Sequence, residues 1–212
     1  MKQLFFTCLA TILFAGCSSD DDTVPVAEVT PQPERGTEAF LRDFAGSDAY
    51  DAVVAMGLEV HFGQTPPQIT GGYKSSPTKL TATTVPGDFS LGSDAGQNYF
   101  LFANQTAPGL TCDYNNKQHF TFSGANWTEQ SQDYFAVISG SGEYFTVFAM
   151  ADGMVETEDA LALHVYSGRK TADGIEDLQF AVYMKANHGH DAHFIPNHTG
   201  RLYTDLMAEN FN

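Results

Sequence analysis

From Gly57 onward the apolar residues of this chain recur at every second position, in short runs rich in aromatic and β-branched side chains and broken by Gly, Pro, Asn and Asp. A period of two with those breakers predicts antiparallel strands rather than helices. The clearest runs are residues 97–103, 117–123, 133–139, 143–150, 160–167 and 177–185, with weaker ones at 68–75 and 79–85. Within 160–167, Leu161, Leu163 and Val165 share one face and Ala160, Ala162, His164 and Tyr166 the other, and the period alone does not say which face looks inward. Ser139-Gly140-Ser141-Gly142 separates two aromatic runs by the length of a tight hairpin, and Asp173-Gly174 marks another turn. Eight strands with mostly short connections predict an all-β domain, an antiparallel meander closed as a β-barrel, with an open β-sandwich as the alternative.

Upstream the period changes. In residues 37–56, Phe40, Leu41, Phe44, Ala45, Ala49, Val53 and Val54 follow helical spacings interrupted at Gly46-Ser47, which predicts one or two short amphipathic helices ending at Gly57. Residues 17–36 carry Pro25, Pro31 and Pro33 and few large apolar side chains, the composition of a disordered tether. Residues 1–16 place Lys2 before an apolar run from Leu4 to Ala15, which reads as a signal peptide and is short of the roughly 20 residues a membrane span requires. Residues 57–212 are then the β-barrel domain.

Leu13-Phe14-Ala15-Gly16-Cys17 resembles a bacterial lipobox, with Phe14 where Leu is usual, and the resemblance implies that Cys17 is lipidated and becomes the mature amino terminus. The following Ser18-Ser19-Asp20-Asp21-Asp22 resembles the surface-export signal of Bacteroidetes lipoproteins. Four further pieces resemble uncharacterised lipoproteins of that phylum: Gly63-Gln64-Thr65-Pro66-Pro67-Gln68-Ile69-Thr70-Gly71-Gly72-Tyr73; Ser139-Gly140-Ser141-Gly142 with Phe145-Thr146-Val147; Ser167-Gly168 with Asp173-Gly174-Ile175; and Gly200-Arg201-Leu202-Tyr203 with Asp205. After that Asp the family continues with an acidic residue and Gly, where this chain has Leu206-Met207-Ala208. The resemblance implies an outer-membrane, surface-exposed lipoprotein of the bacterial cell envelope with a lipocalin-like or avidin-like barrel, and it assigns no reaction. On physical grounds Pro66-Pro67 fixes where strand pairing can start, and Gly71-Gly72 permits close approach or a bulge.

Composition narrows the function classes. With 42% hydrophobic and 13% aromatic residues the chain is not wholly disordered, and a formal charge of −16 opposes binding to nucleic acid or to anionic headgroups, leaving the lipid anchor as the membrane contact. Once Cys8 leaves with the leader and Cys17 is acylated, Cys112 stands alone, so no intramolecular disulfide is available; beside Asp113 it is expected to be chemically quiet. Gly-x-Ser-x-Gly, His-Glu-x-x-His, Walker and Cys-x-x-Cys motifs are absent from the sequence, so no enzyme of those classes is expected and no catalytic residue is assigned. Glu156, Glu158 and Asp159 read as a solvated loop.

One constellation stands out: His188, His190, Asp191 and His193, followed by His198, residue types that zinc or copper would choose. Against it stands the reading of a polar surface loop. His119 and His164 are expected to be half-exposed or hydrogen-bonded. The leading expectation is a non-enzymatic lipoprotein that binds a small apolar ligand or a glycan in a barrel lined by Phe100, Phe120 and Tyr134. The alternatives are metal capture by the histidine loop and a structural or adhesive role, which a solidly filled interior would favour.

Overall fold

A computed structural model describes residues 32–107, 110–122 and 125–211, and for 118–133 the backbone alone. Cys17 and the leader lie outside the described residues. The helical segment resolves into α1 (Glu38–Ala45) and α2 (Ser47–Ala55). Thr37 caps α1 by accepting the Phe40 N–H, and Gly46, at φ 81°, breaks the run between the two helices. Among the described residues no helix is long and apolar enough to cross a membrane.

Ten strands follow: β1 (Gln64–Thr65), β2 (Gly71–Ser75), β3 (Lys79–Thr83), β4 (Gln97–Thr106), β5 (Thr111–Phe122), β6 (Ala125–Ser141), β7 (Tyr144–Val155), β8 (Glu158–Lys170), β9 (Gly174–Ala186) and β10 (Gly200–Phe211). The sheet runs β6-β5-β4-β2-β10-β9-β8-β7 and returns from β7 to β6, closing an eight-stranded antiparallel barrel, as the alternation predicts. β3 and β2 share one edge of β10, β3 against Arg201–Thr204 and β2 against Glu209–Phe211, so together they hold one place in the ring. The strand that completes the eight is β10, which the alternation leaves unread. The hairpin at 139–142 closes through Gly142, at φ 67°.

Both faces of the wall from β7 to β9 are buried, rather than one. Tyr73, Phe100, Tyr166, Phe180 and Tyr203 fill the barrel centre, with ring centroids 4.4 Å apart for Phe100–Tyr166, 4.5 Å for Tyr166–Phe180 and 5.8 Å for Phe180–Tyr203. The face carrying His164 and Tyr166 is therefore the inner one. Outside, Leu41, Tyr50 and Val53 of the helices cover Phe148, Leu163, Val165 and Leu202. Each such side chain contributes about 1.5–3 kcal/mol when fully buried, which explains why two short helices stay docked.

The chain reaches the barrel as an extended strap over residues 57–63, laid across the outer wall. One polar side chain from each of four strands holds its backbone. Ser139 Oγ donates to His61 O (2.7 Å), Thr146 Oγ1 accepts from His61 N (2.8 Å), Ser167 Oγ donates to Glu59 O (2.6 Å), and Gln179 Oε1 accepts from Glu59 N (2.7 Å). The strap ends in a glycine stack, with Gly63 N donating to Gly36 O (2.9 Å) and Gly140 N to Gly63 O (3.1 Å). Beside it Glu34 accepts from Gln64 Nε2 at 2.6 Å, which holds the chain just before Gly36 to β1. A Cβ on Gly63 would sit 2.5 Å from Gly140 O on a backbone at φ +136°. Gly63→Ala is accordingly expected to destabilise the protein by about 2–4 kcal/mol, read as a lower urea midpoint at unchanged slope.

Candidate functional site

Alternation places polar side chains inside the barrel as well as aromatic ones. Asn98 lies two residues before Phe100 on β4, and Asn116 on β5 stands directly opposite Phe100 in the ladder, so both amides share its inner face. His164, opposite Ala149 and Val182, points the same way from β8. With Tyr114 and Tyr166 they form one buried polar cluster. Asn98 Nδ2 donates to Tyr166 Oη at 3.2 Å, Tyr114 Oη lies 3.0 Å from Tyr166 Oη, and Tyr114 Oη lies 2.8 Å from His164 Nδ1. Burial lowers the His164 pKa to about 3, so its imidazole is neutral at physiological pH.

Three atoms of this cluster are buried without a hydrogen-bond partner: Asn98 Oδ1 and both Nδ2 and Oδ1 of Asn116, a residue only 4% exposed. Leaving such an atom unpaired costs about 1–3 kcal/mol, and three within one interior call for water or a ligand to meet them. Around the mouth above, Phe194 of the β9–β10 loop packs on Val155, Ala160, Ala162 and Met184. The segment between β3 and β4 brings Phe89 onto the central core.

The residues singled out in the sequence are distributed differently. Phe100, 1% exposed and stacked on Tyr73 and Tyr166, belongs to the filled centre and not to the wall of an open lumen. Tyr134 is partly buried against that core, with its hydroxyl donating to Asp152 O at 3.0 Å. The side chains of Phe120 and His119 lie outside the described residues. Of the two expectations for His164, half-exposed or hydrogen-bonded, the second holds: it is fully buried with Nδ1 against the Tyr114 hydroxyl. Cys112 is buried, and burial followed by the charge of Asp113 pushes its thiol up to about 12.

The histidine loop meets the acidic turn at residues 156–159, where Glu156 and Asp159 stay exposed as expected. His188 Nδ1 lies 3.0 Å from Asp159 Oδ2, His193 Nδ1 2.7 Å and His190 Nδ1 3.5 Å from Glu158 Oε2. Asp191 instead accepts from Asn187 Nδ2, and His198 faces Tyr183 Oη at 3.4 Å. The five expected ligands therefore do not converge on one point, and among the described residues no group of three or more His, Cys, Asp or Glu side chains is placed to hold a metal ion. Of the residues that sequence reasoning missed, Asn98 leaves a signal, an amide in alternation with Phe100 and Phe102, whereas Asn116 beside Asn115 leaves none.

Compared with protein-family models, curated proteins and solved structures, the chain matches none of them.

Proposed function

We propose that this is a non-enzymatic, lipid-anchored protein of the bacterial outer membrane, held through Cys17 and surface-exposed. In this reading its barrel binds a small neutral molecule on Asn98 and Asn116. The observation that carries the reading is the set of three unpartnered amide atoms inside the barrel. Asn116 offers a donor and an acceptor together, so the ligand carries both in return. Among the described side chains no Lys, Arg, Asp or Glu belongs to the cluster, and the aromatic floor of Phe100 and Tyr166 suits an apolar body. Such a ligand is less apolar than the aromatic composition suggests, and smaller than an open lumen would hold.

Native mass spectrometry of the full-length protein, purified in detergent from its own host, is expected to show a retained small molecule. Asn98→Leu with Asn116→Leu removes the unpaired atoms. The double variant is expected to keep or gain stability in the empty protein, by about 1 kcal/mol for each atom relieved, and to lose the retained mass. Wild-type protein carrying water alone would overturn the binding reading in favour of a structural role.

A further inference from the structure

On the other side of the barrel wall, away from the polar cluster, the strap and the outer faces of β8, β9 and β10 enclose an open groove of about 1030 Å³. Its position follows from the fold. Ser167 and Gln179 turn outward to hold Glu59, and the glycine stack at Gly36, Gly63 and Gly140 fixes the strap's far end next to the hairpin that carries Tyr144. Two aromatic rings stand at this end with much of their surface open, Phe62 at 44% and Tyr144 at 48% exposure, and the His61 ring lies 5.0 Å from that of Tyr144. At the opposite lip Leu206 is 84% exposed. Between the two lips run the carboxylates of Glu59 and Asp177, together with Lys79, paired with Asp94, and Arg169, paired with Glu143 and Glu176, while the carboxylate of Asp205 is taken up by Ser75, Ser76 and Met207.

We infer that this groove is a binding site for a neutral oligosaccharide. The apolar rings offer flat platforms that suit the C–H faces of pyranose rings, and carboxylates accept strong charge-assisted hydrogen bonds from hydroxyls. The volume lies at the upper end for a small-molecule site, enough for a chain of several rings. Charge argues against an anionic ligand, which meets a protein of net charge −16 in which Lys79 and Arg169 are already paired with Asp94 and with Glu143 and Glu176; the exposed rings, rather than charge, favour a sugar over a cation. A peptide adding as a strand needs a free sheet edge, whereas β8 and β9 on the floor are each paired along both edges. The inference is independent of the lumen ligand, because the sheet separates the two sites and no residue is shared.

The test is isothermal titration of the full-length protein with a panel of neutral oligosaccharides four to eight residues long, and with a lysine-rich peptide of similar size. At least one sugar is expected to bind, and Phe62→Ala and Tyr144→Ala are each expected to weaken it roughly tenfold or more with an unchanged thermal melt. Asp177→Asn is expected to weaken it without touching the rings, and Asn116→Leu is expected to leave it unaltered. No binding by any sugar of the panel, binding that survives both ring substitutions, or binding of the peptide in preference to the sugars would overturn the assignment.

Discussion

Between pH 7 and pH 4 the protein is expected to lose about 3 kcal/mol of stability that a His164→Gln variant keeps. His164 is fully buried, and burial lowers its pKa to about 3, against 6.5 for the same side chain in the unfolded chain. Below pH 6.5 the unfolded chain therefore binds a proton that the native state refuses. The unfolded state gains with every unit of acidity until the native histidine also titrates near pH 3, and the stability is fully present only above pH 6.5. Glutamine preserves a neutral partner for the Tyr114 hydroxyl but has nothing to titrate. The shift that burial imposes on His61, in the same direction, is common to both proteins and cancels in the difference. Urea unfolding of both at pH 7 and pH 4 measures it. Parallel pH profiles would show that His164 is protonated in the native barrel, and the neutral character of the polar cluster would go with it.

Much of the barrel is legible in the sequence because its strands obey two simple rules at once. Phe145 and Val147 alternate after a turn that Gly142 closes, and Leu163 and Val165 alternate with His164 and Tyr166 in the next wall strand. The rule fails at β10. Leu206-Met207-Ala208-Glu209 consists of good helix formers, and Leu206 points into solvent, so neither propensity nor alternation marks residues 200–211 as a strand. What makes them one is the pairing of β10 with β9 along one edge and with β2 and β3 along the other. The start of β5 is lost for a related reason. Asn115-Asn116 reads as a breaker, yet Asn116 is an interior side chain of a continuous strand.

The sites are harder to read because closure creates them. Glu158 and Asp159 look like a solvated turn and His188 to His193 like a loop, and only the ring of strands brings the two within hydrogen-bond distance. Aromatic residues are the natural lining for a ligand, but in this barrel of eight strands Tyr73, Phe100, Phe102, Tyr114, Phe145, Tyr166, Phe180 and Tyr203 pack into one core, which leaves the amides as the groups with unmet bonding capacity. The groove depends on residues from the strap, β8, β9 and β10, which are distant in sequence, and no local pattern announces it.

Asp88→Asn is expected to destabilise the protein by roughly 3–5 kcal/mol, while the pair Asp88→Leu with Arg201→Met recovers most of that loss. Arg201 grips the Asp88 carboxylate with both arms, Nε to Oδ2 at 2.9 Å and Nη2 to Oδ1 at 2.6 Å, and Thr83 Oγ1 donates to Oδ2 at 2.5 Å. Both charged side chains are largely buried. Burial alone would raise the Asp88 pKa, but the hydrogen bonds from Arg201 and Thr83 outweigh it and hold the carboxyl below its usual range. The pair's stabilisation is thus present above the ordinary carboxylate pKa and is lost as pH falls through the depressed value, a more acidic window than that of His164. Removing one charge leaves the buried guanidinium without the Asp88 counter-charge, whereas replacing both with apolar side chains removes two desolvation penalties together. The pair also ties the β3–β4 segment to β10, and the Arg201 guanidinium lies 5.4 Å from the Phe89 ring that this segment packs onto the interior. Asp88→Asn is therefore expected to speed hydrogen exchange across residues 84–96. Exchange as slow as in the wild type would show that the segment is held by the packing of Phe89 and not by the ion pair.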